Sequence, residues 1–139
     1  MDGISEILAT YNCVSLDEKI QFELDGVVEK EIKQAYCIEN LEFCVSCMDY
    51  TTLKVSDTEE SVKNFTADLL KKLKKFNLRD VAAVCVFSNY AGIVREGLKG
   101  TEIQTAVVAG NFPNSQTFTE IKLAECKMAI GAGAQEVDV

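Results

Sequence analysis

Residues 81–87, VAAVCVF, are seven consecutive apolar residues, preceded by Arg79-Asp80 and followed by Ser88-Asn89. The run is too short to span a membrane, and its branched side chains favour a strand over a helix. An uninterrupted apolar strand is typical of a parallel sheet that is covered by helices. The run therefore predicts a central strand buried on both faces.

Strands and amphipathic helices alternate on both sides of this central strand. Further strands are predicted at residues 47–49, at residues 103–108 and from Gln135 onward, with a helix between each successive pair. Capping-box patterns at Ser56-Glu59 and Thr117-Glu120 predict the starts of the first and third of these helices. The fold class is therefore α/β, with its chemistry expected where the strands end.

The first 46 residues contain no strand candidate. Apolar positions at helical spacing predict helices near residues 4–11, 16–32 and 38–45. The chain is accordingly divided into a helical extension, residues 1–46, packed on a β/α fold, residues 47–139.

Composition excludes several classes of function. The 139 residues suit one domain, and the formal charge of −8 argues against nucleic acid as a partner. No signal peptide or membrane span is predicted, and six cysteines without secretory features indicate reduced thiols in a cytoplasm. The absence of histidine excludes Ser-His and Cys-His catalysis and histidine-ligated metals, which leaves Lys, Asp, Glu, Cys and Tyr.

The last four residues alternate between carboxylates and valines. Val137 and Val139 share one face of the predicted strand, while Glu136 and Asp138 share the other. If the valines pack under helices, the carboxylates point into the interior of the sheet or barrel, where a charge requires a partner. That partner is either an earlier cation such as Lys54 or sequence that this chain does not contain.

Three other patterns receive structural interpretations. The C-x-x-C of Cys44 and Cys47 leads into a strand and has no second pair, so it is interpreted as packing and not as a redox or zinc site. Cys85 is interpreted as a small buried hydrophobe, since nothing near it in sequence would activate its thiol. Asp57 is interpreted as a first-turn helix charge.

Four passages in order resemble deoxyribose-phosphate aldolase, a class I aldolase family built as a (β/α)₈ barrel. They are CMDYTTLK (47–54), VAAVCVFSNY (81–90), VAGNFP (108–113) with TEIKLAE (119–125), and GAQEVDV (133–139). The resemblance implies that residues 47–139 are the first half of a TIM barrel, strands one to four, ending in the fourth strand. Asn114-Ser115 departs from the His-Gly that often follows Phe-Pro in the family.

The resemblance also implies an activity and a set of site residues. Enzymes of this family cleave 2-deoxy-D-ribose 5-phosphate to acetaldehyde and glyceraldehyde 3-phosphate through a lysine Schiff base, without metal or cofactor. By resemblance Asp138 is the catalytic proton relay and Asp49 supports the polar network of the site. The resemblance also assigns pocket-lining positions, which are Thr51, Thr52, Leu53 and Cys85.

The Schiff-base lysine of the family follows the sixth strand, so the resemblance places it outside these 139 residues. Lys54 is not that residue. The chain alone is therefore expected to be inactive as an aldolase. The alternative is a non-catalytic half barrel that self-associates through its strand edges or interior, or pairs with another half barrel. A weaker alternative is an unrelated open α/β binding domain.

Overall fold

The four predicted strands form one parallel sheet in the order β1-β2-β3-β4. The computed structural model describes residues 2–11 and 13–139. The strands are β1 (Asp49–Thr51), β2 (Ala83–Phe87), β3 (Gln104–Val108) and β4 (Glu136–Asp138). The predicted α/β class is confirmed, and each predicted strand is present with bounds that differ by one or two residues.

Helices occupy the described chain before the sheet. They are α1 (Asp2–Thr10), α2 (Cys13–Val27), a π-helical turn (Val28–Ile32), α3 (Lys33–Ala35) and α4 (Ile38–Ser46). The helical N-terminal extension is therefore confirmed.

The chain divides into two compact units, Met1–Leu41 and Glu42–Val139. In the first unit no described side chain is buried, and Ile20, Leu24 and Ile32 are each more than half exposed. The helices of this unit therefore form no hydrophobic core among the residues described, and the core of the protein lies in the second unit.

Three helices connect the strands of the second unit. They are α5 (Glu59–Phe76), α6 (Ala91–Gly97), which follows a 3₁₀ turn (Ser88–Tyr90), and α7 (Thr119–Ala132). Each of them contributes buried apolar side chains to a single cluster on one face of the sheet. Sequential parallel pairing with a helix in each crossover is the pattern of β/α repeats.

The main core is formed between these helices and the large side chains of the central strands. Val84 and Val86 of β2 and Val107 of β3 are fully buried there, against residues such as Val94 of α6 and Val62 of α5. Full burial of one valine stabilises a fold by about 1.5–3 kcal/mol. The edge strand β1 adds Tyr50, whose ring stacks on Phe65 with centroids 4.2 Å apart.

The two predicted capping boxes are wrong in position. Helix α5 begins at Glu59, because Thr58 caps it through a hydrogen bond from the Ser61 backbone, and Ser61 caps Thr58 in return. Helix α7 begins at Thr119 after Phe118, with no side-chain cap. Ser61 fills the role usually taken by Glu or Gln, so this capping box does not match the usual sequence pattern.

Gly133 ends α7. Its φ of 111° lies in the left-handed region, and an added Cβ would approach Arg95 Cγ to 2.9 Å. Gly131 lies inside α7 and does not interrupt it. Within residues 2–11 and 13–139, no helix has both the length and the apolarity needed to cross a membrane.

One buried hydroxyl in the core has no partner among the described residues. Thr105 of β3 is fully buried beside Val84, and its Oγ1 makes no hydrogen bond. An unsatisfied buried polar group costs about 1–3 kcal/mol. We therefore expect Thr105→Val to raise the free energy of unfolding by about 1 kcal/mol, measured by urea denaturation of the whole chain.

Thr66→Val is the matched control for this substitution. The Thr66 hydroxyl is equally buried but donates to the Val62 carbonyl oxygen at 3.0 Å. Its loss should lower the free energy of unfolding by about 1 kcal/mol, because a satisfied hydrogen bond is removed. Equal destabilisation by both variants would show that Thr105 Oγ1 has a partner.

Candidate functional site

The second face of the sheet carries the residues that the sequence singled out. Alternation along each strand points Val84, Val86 and Val107 toward the helices, so their neighbours point the opposite way. We call this opposite surface the inner face. From β1 to β4 it consists of Asp49 and Thr51; Ala83, Cys85 and Phe87; Gln104, Ala106 and Val108; and Glu136 and Asp138.

The centre of the inner face is formed by small side chains. Ala83, Cys85, Ala106 and Val108 form a second buried cluster, against which Leu53 and Phe87 pack. No described helix contributes to this cluster, so it consists of a single layer of side chains on the sheet. Small residues at the centre leave room for a ligand or for another layer of side chains.

Carboxylates lie on both edge strands of the inner face. Asp49 on β1 and Glu136 and Asp138 on β4 are exposed, whereas the two central strands carry no charged residue. The predicted alternation of β4 is confirmed, because Val137 packs against the main core while its two acidic neighbours face the other way.

These three carboxylates have no cationic partner in the described part of the chain. No lysine or arginine nitrogen in residues 2–11 and 13–139 lies within 4.0 Å of them, and this includes Lys54, which was one of the alternatives left open by the sequence. The inner face is therefore a negatively charged surface, which favours a cationic group brought by another segment or ligand.

Cys85 lies between the acidic edges and is affected by both. The thiol belongs to a residue that is 4% exposed. Burial raises the pKa of the Cys85 thiol, the charges of Asp138 and Asp49 raise this pKa further, and a hydrogen bond with the Thr51 side chain opposes the rise. The predicted buried, unactivated cysteine agrees with this environment.

The loop after β1 separates two of the predicted pocket residues. Leu53 is half-buried and packs on the inner-face cluster. Thr52 is buried, and its Oγ1 donates to Asp57 Oδ2 at 2.9 Å, which also accepts from the Lys54 backbone at 2.9 Å. Thr52 therefore holds the loop and does not line an open surface.

Asp57 was interpreted from the sequence as a helix charge, and this interpretation is wrong. Helix α5 begins two residues later, and the Asp57 carbonyl oxygen accepts from the Tyr90 hydroxyl at 2.7 Å. The Asp57 side chain and backbone thus connect the loop after β1 to the end of β2. The position of Asp57 in the sequence, two residues before the helix, does not predict its contact with Tyr90.

Glu125 is a site residue that the sequence reasoning did not identify. Its Oε1 accepts from Ser88 Oγ at 2.6 Å and its Oε2 accepts from the Gly110 backbone at 2.8 Å. One carboxylate thus ties together the segments that follow β2 and β3. The sequence did contain a signal for this role. Glu125 lies four residues after Ile121 and four before Ala129, and this spacing places its charge on the same side of α7 as two apolar residues.

A cavity of about 490 Å³ opens beside this carboxylate, at the carboxyl ends of the central strands. Its lining residues are Phe87, Val108, Ala109, Asn111, Phe112, Gln116, Thr117, Ile121 and Glu125. Phe87 and Val108 belong both to this lining and to the inner face, so the cavity adjoins the inner face, whereas Asp49, Thr51, Cys85 and Asp138 do not line it. Across the described residues no group of three or more Cys, Asp or Glu side chains is arranged to hold a metal.

Known proteins share this combination of sequence and fold. A deoxyribose-phosphate aldolase of Clostridium novyi is 42% identical over 92 residues, which cover 66% of this chain and 38% of that protein. The Bos taurus deoxyribose-phosphate aldolase is 34% identical over 133 residues, covering 86% of this chain and 40% of that protein. This chain resembles the deoxyribose-phosphate aldolases.

Solved structures agree with the resemblance to deoxyribose-phosphate aldolase. The tetrameric deoxyribose-phosphate aldolase of Aeropyrum pernix superposes with a TM-score of 0.56 at 28% identity, covering 70% of this chain and 38% of that one. The fold is therefore that of the first half of a (β/α)₈ barrel with a helical N-terminal extension. No family model matches the chain. The chain spans 38% of the length of the Clostridium novyi relative and 40% of the length of the Bos taurus relative.

The environment of Cys85 predicts how its alkylation depends on Asp138. Removing the negative charge by Asp138→Asn should lower the pKa of the Cys85 thiol and increase its thiolate fraction at pH 8. Iodoacetamide should then modify Cys85 faster than in the wild type, measured by mass spectrometry on the tryptic peptide of residues 80–95, which contains no other cysteine.

The pH profile separates this charge effect from a change in access. The difference in rate should vanish at high pH, where the thiol is ionised in both proteins. Glu120→Gln, which removes an exposed charge from the first turn of α7, should leave the rate unchanged. A rate difference that persists at high pH would contradict the electrostatic explanation.

Proposed function

We propose that residues 47–139 form the N-terminal half of the barrel of a class I deoxyribose-phosphate aldolase. The whole protein would cleave 2-deoxy-D-ribose 5-phosphate to acetaldehyde and glyceraldehyde 3-phosphate through a lysine Schiff base, with no cofactor. The observation that carries this proposal is the 42% identity over 92 residues to an aldolase, together with a matching sheet topology. The cysteine content supports a reducing, cytoplasmic location.

In this proposal the inner face is the part of the active site that the chain supplies. Asp138 relays protons and orients the reactive amine, and its exposed position at the carboxyl end of β4 supports this role. Asp49 supports the polar network from β1. Thr51, Leu53 and Cys85 shape the sugar-phosphate pocket, and Thr52 acts through the loop that it holds to Asp57.

The 139 residues alone are proposed to lack aldolase activity. A Schiff-base aldolase requires an amine directed at the substrate carbonyl, with a second charge that keeps it unprotonated. None of the four strands carries a lysine; the lysines lie on helices or in connecting segments. The inner face would therefore offer a carboxylate for proton transfer without the nucleophile that needs it.

Borohydride trapping tests this proposal directly. The chain is incubated with acetaldehyde or 2-deoxyribose 5-phosphate, reduced with borohydride and examined by intact mass and peptide mapping. We expect only scattered, substoichiometric adducts on exposed lysines, because no lysine is placed at the inner face. A one-to-one, substrate-dependent adduct at a single lysine, abolished when that lysine is replaced by arginine, would contradict it.

A complementation experiment tests the aldolase proposal even if the chain alone is inactive. The chain is co-expressed with the remainder of the Clostridium novyi relative and trapped in the same way. A specific adduct should appear on a lysine of that remainder, and it should be reduced by Asp138→Asn but not by the control Glu120→Gln. Equal trapping with and without this chain would argue against a contribution of Asp138.

A second candidate is a non-catalytic half barrel that associates with copies of itself or with another half barrel. Strands β1 and β4 each have one neighbour in the sheet, so each leaves an unpaired edge. Within residues 42–139 no helix packs on the buried cluster of the inner face. Helix α7 also exposes apolar side chains, which are Ile121, Leu123, Met128 and Ile130. A helix that is apolar on most sides normally packs against more than one partner.

This candidate predicts concentration-dependent self-association in sedimentation velocity. Because Asp49, Glu136 and Asp138 carry like charges on both edge strands, edges of different copies should repel at low ionic strength. The sedimentation coefficient should therefore rise with protein concentration, and more steeply in 0.5 M salt than in low salt. A monomer at all concentrations and salts would exclude self-association.

A further inference from the structure

The C-x-x-C pair at the end of α4 is exposed, and its interpretation as packing is therefore wrong. Cys44 is in the last turn of α4, Cys47 directly follows the helix, and both are exposed. The residue between them that packs against the main core is Val45, which is half-buried. The two thiols are thus available to reagents in solution, unlike the buried Cys85.

The backbone brings the two cysteines close enough for a disulfide. The Cys47 amide donates to the Cys44 carbonyl oxygen at 3.1 Å, and the Met48 amide donates to Val45 in the same way. Residues joined by such a turn have Cα atoms less than about 7 Å apart. Disulfides bridge Cα atoms about 4.4–6.8 Å apart, so closure needs little movement of the backbone.

The position of the pair also indicates what kind of redox site it forms. In disulfide oxidoreductases the reactive cysteine opens a helix, whose N-terminal dipole stabilises the thiolate. Here the pair closes a helix, so this helix supplies no such stabilisation. The arrangement is therefore more typical of a cysteine pair that becomes oxidised than of a pair that catalyses disulfide exchange in other proteins.

We propose that Cys44 and Cys47 form a reversible dithiol–disulfide site that responds to small disulfides of the glutathione type. One thiolate attacks the glutathione disulfide, whose S–S bond breaks as glutathione thiolate leaves. The second cysteine thiolate then attacks the protein sulfur of the mixed disulfide and releases a second glutathione thiolate. Two electrons pass to glutathione, and the two thiol protons end on the glutathione thiolates.

The disulfide would close at the junction that leads into β1. The Met48 carbonyl oxygen accepts from the Ala82 amide at 3.0 Å, and Asp49 begins the strand one residue later. Oxidation would fix the turn immediately before this edge strand, which carries two residues of the inner face. The site is independent of the proposed aldolase function, because neither cysteine lies on the inner face.

The test equilibrates the whole chain in glutathione redox buffers, blocks free thiols with N-ethylmaleimide and measures intact and peptide masses. Cleavage after Glu39 and Glu42 separates Cys37 from Cys44 and Cys47. The expected product is a single peptide containing both cysteines, two hydrogens lighter and unalkylated, whose fraction follows a two-electron dependence on buffer potential. Dithiothreitol should restore both thiols.

Matched variants distinguish intramolecular closure from general thiol oxidation. Cys37→Ser and Cys126→Ser should close as the wild type does. Cys44→Ser should instead accumulate glutathione on Cys47, at least tenfold more than the wild type at the same potential. Two glutathione adducts on the wild-type pair, a bridge from either cysteine to Cys37 or Cys126, or unreacted thiols in oxidising buffer would each overturn the proposal.

Discussion

The unequal size of the side chains on the two faces of β2 and β3 determines most of this structure. Toward the helices these strands present Val84, Val86 and Val107, and each valine is fully buried. Toward the inner face they present small residues at the centre, Ala83, Cys85 and Ala106, with Phe87 and Val108 at the carboxyl ends of the strands. Large branched residues give the helices a surface to pack on, whereas small ones leave space above the sheet. The position of the core and that of the candidate site are consequences of the same alternation.

Charge follows a related division between central and edge strands. The apolar centre of the inner face carries no ionisable group except the Cys85 thiol, while Asp49, Glu136 and Asp138 stand on the two edges. Exposed carboxylates on edge strands oppose pairing with another sheet, because their burial without a partner is costly. The same carboxylates would favour a cationic segment or ligand. These carboxylates therefore favour a cationic partner on the inner face and disfavour a purely apolar one.

The fold was largely predictable because its decisive signals are local. Residues 81–87 indicated a buried strand from their composition alone, and the alternation of residues 136–139 correctly placed the two carboxylates opposite the core. Helix starts were less predictable, since Ser56 and Thr117 match the capping pattern while the backbone turns into α5 only after Thr58. Several residues fit one short motif, and packing decides which of them is used.

The contacts that hold the candidate site together were not predictable, because they join distant segments. Glu125 meets Ser88, 37 residues earlier, and Asp57 meets Tyr90, 33 residues later. From sequence both acids look like ordinary helix charges, and only the folded backbone brings their partners within reach. The interpretation of Cys44 and Cys47 as packing was wrong for a different reason. It followed from excluding redox and zinc motifs by sequence pattern, and the end of α4 does not provide the burial that packing requires.

The resemblance to aldolases and the charges on the inner face lead independently to the same requirement. The proposed function requires a reactive lysine near Asp138, contributed by a segment outside residues 47–139. Without using that resemblance, the described structure shows three carboxylates around a small apolar floor and no lysine or arginine within 4.0 Å of them. Covering this face with an apolar layer would bury charges without compensation. A covering element that brings a cation would remove that penalty, and a cation placed beside Asp138 is also what the proposed chemistry needs.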